Sequence, residues 1–287
     1  MQDPQSMDAL PPAEIALRLE ATGVNKACLP ACNLMLLGLL GGVYIGFGGA
    51  LATLVGSETT LGYGMGRLAA GLAFSLGLFV LVVGGGELFT GNNLMVLAFA
   101  SRRISGHALL RNWGVSFAAN AGGALLLALA IYLSGVVDAP AVKATTIKIA
   151  EAKAQLGAAS AFLRGVLCNM LVCLAVWLSV AARSVEGKAI GVALPVSAFV
   201  ALGFEHCIAN CYLIPIGMLN GARVSFADFA GNIAAVTMGN ALGGVIVAAA
   251  YHQIFLGGRQ QRHTETKSAP LPPLRQEIGL LRALSLR

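Results

Sequence analysis

The chain has 287 residues, of which 57% are hydrophobic and only 11% are charged, and its mean hydropathy is +0.77. This composition predicts a polytopic membrane protein, because about six crossings of ~20 residues each use up the length and leave no room for a separate soluble domain. The formal charge of +6 does not indicate a nucleic-acid-binding protein, since the basic residues are scattered through loops and tail without interleaved aromatic residues.

The first part of the chain predicts a surface helix followed by three crossings. Pro11 and Pro12 open an amphipathic helix over 13–26, which completes a cytoplasmic N-terminal segment at 1–27. Glu14, Arg18 and Glu20 are expected to face water, and the pattern fits either an interfacial helix or a gate beneath a pore. The crossings follow at about 29–55, at 68–100 with a break at 85–93, and at about 115–137.

The second part of the chain predicts a long loop and three more crossings. The loop, at 138–155, carries Lys143, Lys148 and Lys153. The tail at 257–287 is basic and contains proline, which predicts a disordered cytoplasmic segment whose end, 274–286, has the pattern of a short surface helix. The crossings are at about 159–182, at 190–219 with a break in the middle, and at about 229–256.

The break in the fifth crossing is the octet GFEHCIAN at 203–210. Neither apolar flank is long enough to cross a bilayer alone, so Glu205, His206 and Asn210 are expected at membrane depth. Such a polar cluster has two interpretations: it holds helices together, or it marks a substrate or proton path. We favour the path, because ionisable groups near the bilayer midplane are costly and usually functional.

Positive charges are distributed unequally between the two sides of the predicted membrane domain. With alternating crossings, 13 Lys and Arg residues fall on the side of both termini and six at most on the other side. The positive-inside bias therefore predicts a multi-pass protein of the cytoplasmic (inner) membrane with both termini in the cytoplasm. No secretory signal is predicted, since the first apolar stretch is too long and too far from Met1.

Three short motifs recur in order in the two halves of the chain. Cys32-Asn33-Leu34-Met35 matches Cys168-Asn169-Met170-Leu171 at an offset of 136, Glu87 and Asn92 match Glu205 and Asn210 at 118, and Asn112 and Asn120 match Asn232 and Asn240 at 120. Because each half has three crossings, the halves insert in opposite orientations. The prediction is an all-α pore domain at 28–256, a 3 + 3 inverted repeat (about 28–137 and 159–256) with the second and fifth helices interrupted.

The sequence also contains three longer motifs: GELFTGN at 86–92, RGVLCNMLVCLAVW at 164–177, and GFEHCIAN at 203–210 with LIPIG at 213–217. These motifs resemble signatures of the formate/nitrite transporter family, over about residues 12–256. The resemblance implies an aquaporin-like protomer in the lipid bilayer and a homopentamer with one pore per subunit. It also implies passage of small monovalent anions such as formate, nitrite or hydrosulfide, with no cofactor and no enzymatic reaction.

The resemblance further implies which residues form the pore. The family's central histidine falls on His206, its break threonine on Thr90, its pore asparagine on Asn169 and its outer-vestibule lysine on Lys153. Its narrow apolar rings fall on six residues, namely Phe74, Leu78, Leu88, Phe89, Val172 and Phe199. The sequence GNN at 91–93 is one variant of the family pattern and leaves the preferred anion open.

The residues suit anion passage on chemical grounds as well. A bare anion in an apolar constriction loses more hydration free energy than one or two neutral hydrogen bonds return. Protonation removes the charge, and His206 has an unperturbed pKa of about 6.5, which permits proton exchange near neutral pH. Lys153 is expected to concentrate anions at the outer mouth. Thr90 and Asn169 are expected to donate to the substrate or to hold His206.

Four residues are assigned a structural role at the helix breaks: Glu87, Asn92, Glu205 and Asn210. An anion would be repelled by the two carboxylates. They are therefore expected to accept hydrogen bonds from backbone amides at the breaks.

Two other classes of function fit the sequence less well. An intramembrane hydrolase would need a paired metal or nucleophile motif, but no second His lies at helical distance from His206 and no Ser lies in a Gly-x-Ser-x-Gly turn. A neutral-solute channel of the aquaporin type fits an inverted repeat, but it would more naturally carry Asn-Pro-Ala at both breaks. The six cysteines all fall in or beside apolar segments, where a thiol behaves as a small hydrophobic group, and they lack completing ligands, so neither a disulfide nor a metal is expected. The sequence therefore predicts an anion channel or transporter, for formate first, with nitrite and hydrosulfide as alternatives and proton exchange at His206.

Overall fold

The computed structural model describes residues 9–57 and 60–257, and all regular secondary structure in these residues is helical. The predicted tail lies outside the described residues from position 258 onward. The helices in chain order are α1 (Pro12–Ala27), α2 (Ala31–Gly56), α3 (Tyr63–Gly84), α4 (Phe89–Asn92), α5 (Val96–Ala100), α6 (Gly106–Leu133), α7 (Pro140–Ala154), α8 (Ala158–Ala181), α9 (Val185–Leu202), α10 (Cys207–Leu219) and α11 (Phe226–Phe255). A 3₁₀ turn, Asn93–Met95, joins α4 to α5.

Among the described residues, six helices are long and apolar enough to cross a membrane: α2, α3, α6, α8, α9 and α11. This confirms the predicted number of crossings, and the protein is a multi-pass membrane protein. Large apolar side chains on the outer surface, such as Leu36, Leu126 and Leu163, are more than half exposed. Such a surface suits contact with lipid or with a neighbouring subunit.

The fifth crossing differs from its prediction. Helix α9 has 18 residues and therefore rises about 27 Å, nearly the whole ~30 Å hydrocarbon core. It begins at Val185, five residues before the predicted start at 190, and the break at 203–206 joins it to the 13-residue α10. The sequence prediction began the crossing too late because Glu186 and Lys188 resemble loop residues. In the structure they occupy the first turn of α9, where Ser184 caps the helix by accepting from the backbone N of Gly187.

The two halves of the chain have the same arrangement. Helix α2 packs against α6 as α8 packs against α11, and α3 crosses α9. Asn120 donates to the backbone oxygen of Gly38 (2.6 Å), and Asn240 donates to that of Gly165 (2.8 Å). These contacts confirm the offset of 120 between α6 and α11 and give an offset of 127 between α2 and α8.

One of the three sequence matches is therefore wrong. Asn33 lies exposed near the start of α2, whereas Asn169 is buried in the middle of α8. The offset of 127 pairs Asn169 with Gly42. The four-residue match at offset 136 misled the prediction because both segments are apolar and share a Cys-Asn dipeptide.

Glycines bring the paired helices into close contact. A Cβ on Gly42 would overlap the backbone oxygen of Asn120, and a Cβ on Gly123 would overlap that of Leu39, so α2 and α6 touch through their backbones. Gly239 and Gly243 of α11 have the same relation to α8. Small residues of this kind permit the dense helix packing on which membrane bundles depend.

Two predictions outside the crossings need correction. The predicted loop at 138–155 is mostly helix α7, which begins with Pro140 at its first position and buries Val142, Thr146 and Ala150 at four-residue spacing. Helix α1 is present as predicted, but it packs on α5, α8 and α11. Glu20, expected to face water, is buried and pairs with Arg103 at 3.1 Å.

Candidate functional site

Two non-helical stretches, 85–88 and 203–206, each join a long helix to a short one. A buried asparagine closes each stretch: it accepts from the first backbone N–H of the short helix and donates to the backbone oxygen two residues earlier. Asn120 accepts from the backbone N of Phe89 (2.9 Å) and donates to the backbone oxygen of Glu87 (2.8 Å). Asn240 accepts from the backbone N of Cys207 (2.9 Å) and donates to the backbone oxygen of Glu205 (2.9 Å). The breaks thus satisfy these backbone groups inside the protein, as membrane depth requires.

The two breaks meet at His206 and Thr90. The Nε2 atom of His206 lies 3.1 Å from Oγ1 of Thr90, and both residues are buried. His206 also caps α10, because its Nδ1 accepts a hydrogen bond of 3.1 Å from the backbone N of Ala209. An accepting Nδ1 carries no proton, so in the neutral ring the proton is on Nε2. The Nε2–H then donates a hydrogen bond to Oγ1 of Thr90. The hydroxyl hydrogen of Thr90 is then available to another acceptor.

The six residues assigned to narrow rings are buried in one apolar cluster. Phe199 packs edge-on against Phe74, with ring centroids 5.7 Å apart, and lies parallel to the His206 ring at 6.1 Å. Phe89 contacts Trp113 and Phe117 of α6. The cluster therefore places an aromatic ring beside the His206 side chain.

Two cavities reach this cluster. The wide cavity, about 610 Å³, lies on the side of α7 and is lined by Phe74, His206 and Lys153 among others. The narrow cavity, about 220 Å³, lies on the side of α1 and is lined by Leu78, Leu88 and Lys26 among others. The other three ring residues, Phe89, Val172 and Phe199, line neither cavity.

Lys153, at the end of α7, belongs to a buried network at the second break. Its Nζ lies 2.9 Å from both carboxylate oxygens of Glu205. Asn210 donates to Glu205 (2.7 Å) and to Asn232 (2.8 Å), and Asn232 donates to the backbone oxygen of Lys153 (2.9 Å). The network ties α7, the break and α11 together.

Lys26, at the end of α1, forms the matching network at the first break. Its Nζ lies 2.7 Å from Glu87 and 2.9 Å from Asn92. Asn92 donates to Glu87 (2.7 Å) and Asn112 (2.8 Å), and Asn112 donates to the backbone oxygen of Lys26 (3.2 Å). Lys26 was missed from the sequence. Lys26 precedes Lys153 by 127 residues, the same offset that relates α2 to α8. This correspondence could have identified Lys26, but it becomes visible only after the alignment of α2 with α8 is corrected.

The expectation that Glu87 and Glu205 accept from backbone amides is wrong. The partners of both carboxylates are lysine and asparagine side chains. Each glutamate therefore balances the charge of one lysine, which a backbone amide could not do.

Asn169 holds backbone at the centre of the site. Its Nδ2 contacts three oxygens, those of Asn240 (2.6 Å), Asn93 (2.7 Å) and Thr90 (3.3 Å). Its two hydrogens are therefore engaged, so it is poorly placed to donate to a substrate. It positions Thr90 instead, and Thr90 contacts His206.

The site offers little that would hold a metal. Among the described residues, no group of three His, Cys, Asp or Glu side chains could bind a metal ion. Polar groups converge at one point, His206 and Thr90, inside an apolar cluster between two cavities. This arrangement suits transient contact with a small molecule that has shed its water.

Comparison with known proteins agrees with the geometry. The chain is 38% identical, over 85% of its length and 97% of the relative's, to a protein of Methanothermobacter thermautotrophicus named probable formate transporter. A solved structure described as a pentameric formate channel with formate bound shares 36% identity and a TM-score of 0.72, covering 79% of this chain and 98% of that one. The aquaglyceroporin of Plasmodium falciparum has a TM-score of 0.51 at 14% identity over 81% of this chain and 100% of that one, which shows a likeness of fold alone.

The family comparison covers almost the whole membrane domain. The family described as formate/nitrite transporter matches residues 13–254, which include α1, both breaks and nearly all of α11. Its named relatives are transporters and channels, so the protein is a transporter and not an enzyme. The chain belongs to the formate/nitrite transporter family.

Proposed function

We propose that this protein passes small monovalent anions, formate first, through a pore in each subunit of a homopentamer. The observation that carries the proposal is the buried contact of 3.1 Å between His206 and Thr90, set in an apolar cluster between two cavities. The related structure with formate bound is pentameric, and it supports both the substrate and the assembly.

The hydrogen bonds of His206 suggest how an anion is met. When the Nε2–H of His206 donates to the Thr90 oxygen, the Thr90 hydroxyl can itself donate to a formate oxygen. Formate remains charged there, and one hydrogen bond does not offset its lost hydration. Proton exchange with His206 removes the charge, so that the neutral acid crosses the apolar cluster.

The capping contact restricts when His206 can take a proton. A proton on Nδ1 displaces the hydrogen bond from Ala209 and puts a positive charge at the N-terminus of α10, where the helix dipole opposes it. An adjacent anion compensates that charge. We therefore propose that His206 is neutral at rest and takes a proton only while an anion is bound, which it then protonates.

The membrane orientation follows from the charges of the loops. Both termini lie in the cytoplasm of a cell whose inner membrane holds the protein, since 13 basic residues fall on that side and six at most on the other. The wide cavity then opens to the outside and the narrow cavity to the cytoplasm, with α1 beside it.

The two lysine networks position the breaks. Lys26 and Lys153 each tie a terminal turn of α1 or α7 to a break glutamate. Because each lysine charge is balanced by a carboxylate, its attraction for a distant anion is largely cancelled. Lys153 therefore contributes less to anion collection than its sequence position suggests.

The test is transport by the purified protein in liposomes, for wild type and His206→Asn. Wild-type formate flux should rise as external pH falls from about 7 to about 5 and should carry no net current, since a proton accompanies each anion. His206→Asn keeps a polar group but cannot titrate, so the pH dependence should disappear. His107→Asn, an exposed histidine in α6, is the matched control.

Two results would count against parts of the proposal. Wild-type transport with full anionic current at every pH would exclude proton exchange and leave the pore assignment standing. A flux of glycerol but not of formate, nitrite or hydrosulfide would exclude an anion pore altogether.

A further inference from the structure

The wide cavity contains more positive charge than its lysine network explains. Four basic side chains and one carboxylate line it: Arg67, Lys148, Lys153, Arg164 and Glu205. Glu205 is engaged by Lys153 at 2.9 Å. Among residues 9–57 and 60–257, the ion pairs include none that involves Arg67, Lys148 or Arg164.

Arg67 and Arg164 converge on the end of α9. Nε and Nη2 of Arg67 donate to the backbone oxygens of Ala201 (2.6 Å) and Val200 (2.8 Å), and Nη1 of Arg164 lies 3.4 Å from the backbone oxygen of Gly203. These carbonyls lie at the C-terminus of α9, where a cation is favoured, and the carbonyl of Val200 also accepts from the backbone N of Gly203 (3.1 Å). The contacts hold both guanidinium groups at the cavity wall.

Gly203 permits this convergence. Its φ of +76° is left-handed, and the position that a Cβ would take is 3.0 Å from Nη2 of Arg67 and 4.0 Å from Nη1 of Arg164. The two nitrogens are therefore at most about 7 Å apart. Each guanidinium has five N–H donors, and the carbonyl contacts engage two on Arg67 and one on Arg164. The remaining donors have no hydrogen bond to a described residue.

We propose that Arg67 and Arg164 form a binding site in the wide cavity for small anions with two oxygens on one carbon or nitrogen, such as formate and nitrite. A guanidinium donates two parallel hydrogen bonds, which fit a carboxylate or nitrite but not a spherical or single-atom anion such as hydrosulfide. The site collects the anion before it reaches His206, which lines the same cavity. The inference rests on the proposed transport function and adds a selectivity to it.

The test compares Arg164→Lys and Arg164→Gln, since Arg164 has one long backbone contact and its loss disturbs α9 least. Both variants should raise the half-saturating formate concentration in liposomes about three- to tenfold. Lys retains the charge but not the paired donors, and Gln retains neither. For Arg164→Lys, the half-saturating hydrosulfide concentration should change less than about twofold, because the charge is retained. Lys143→Gln, an exposed lysine of α7 that does not line the cavity, is the control.

A second measurement separates the site from transport. Saturation-transfer NMR with ¹³C-formate on the intact purified protein reports binding without flux. Arginine-dependent binding together with absent formate transport would refute the transport function and retain the site. Formate transport in which Arg164→Lys behaves as wild type, or in which both anions shift equally, would show a general field effect and overturn the site.

Discussion

Removal of the Thr90 hydroxyl tests the centre of the proposed pore most directly. Thr90→Val keeps the shape of the side chain and deletes the oxygen that lies 3.1 Å from Nε2 of His206. A hydrogen bond to a charged group contributes about 1.5–3 kcal/mol. If Thr90 donates to the anion at the narrowest point, its loss should lower the flux about 10- to 150-fold.

The same substitution should also lower stability. The Nε2–H of His206 would be left without its acceptor in a buried site, which costs about 1–3 kcal/mol. Thr90→Ser restores the hydroxyl and is the matched control. Both variants should be measured by stopped-flow formate uptake in liposomes of equal protein content, and by thermal denaturation in detergent.

The two readouts distinguish the possible roles of Thr90. A flux for Thr90→Val within a factor of about two of wild type would refute the argument that its hydroxyl contacts the permeating anion. A lower melting temperature with normal flux would restrict Thr90 to holding His206. Low flux in Thr90→Ser would point to packing, since Ser lacks only the methyl group.

Three further predictions concern the walls of the pore and its supports. Phe199→Ala and Leu78→Ala should each open the apolar cluster and increase leak of larger anions such as acetate, and unchanged selectivity in both would remove them from the pore wall. Lys153→Met should destabilise the protein by about 3–5 kcal/mol in thermal denaturation, because the Glu205 carboxylate is left buried without its cationic partner. The double variant with Glu205→Gln should recover much of the lost stability. Asn240→Leu should impair folding or pore formation, as judged by gel filtration and flux, because Cys207 N–H and the Glu205 carbonyl would lose their partner.

The helix count and the position of the breaks could be predicted because the bilayer requires long apolar runs. Polar residues that interrupt such a run stand out in the sequence. Apolar runs of ~20 residues have few alternatives in a membrane protein. Pairs such as Glu87 with Glu205 recur at a constant offset because the same network is built twice. Helix ends were less predictable, since α9 begins with charged residues that resemble a loop.

The partners of the central residues could not be predicted, because they lie far apart in the sequence. The backbone oxygen of Thr90 and Nδ2 of Asn169 meet across 79 residues, and only the packing of α8 against α11 brings Asn169 to the break. The role of α1 was likewise hidden. An amphipathic helix has the same pattern on a membrane surface as on a protein, so burial of Glu20 beside Arg103 could not be seen in the sequence.

The two closing asparagines have a consequence for the energy balance of the membrane. Asn120 and Asn240 form hydrogen bonds with backbone groups that would otherwise attract water into the apolar core. A chain of water molecules through that core would conduct protons and discharge the gradient on which a cell depends. Because the protein itself fills these positions, a broken helix need not become a proton leak. Under the proposed mechanism, a path for a small acid would then not also be a path for the proton alone.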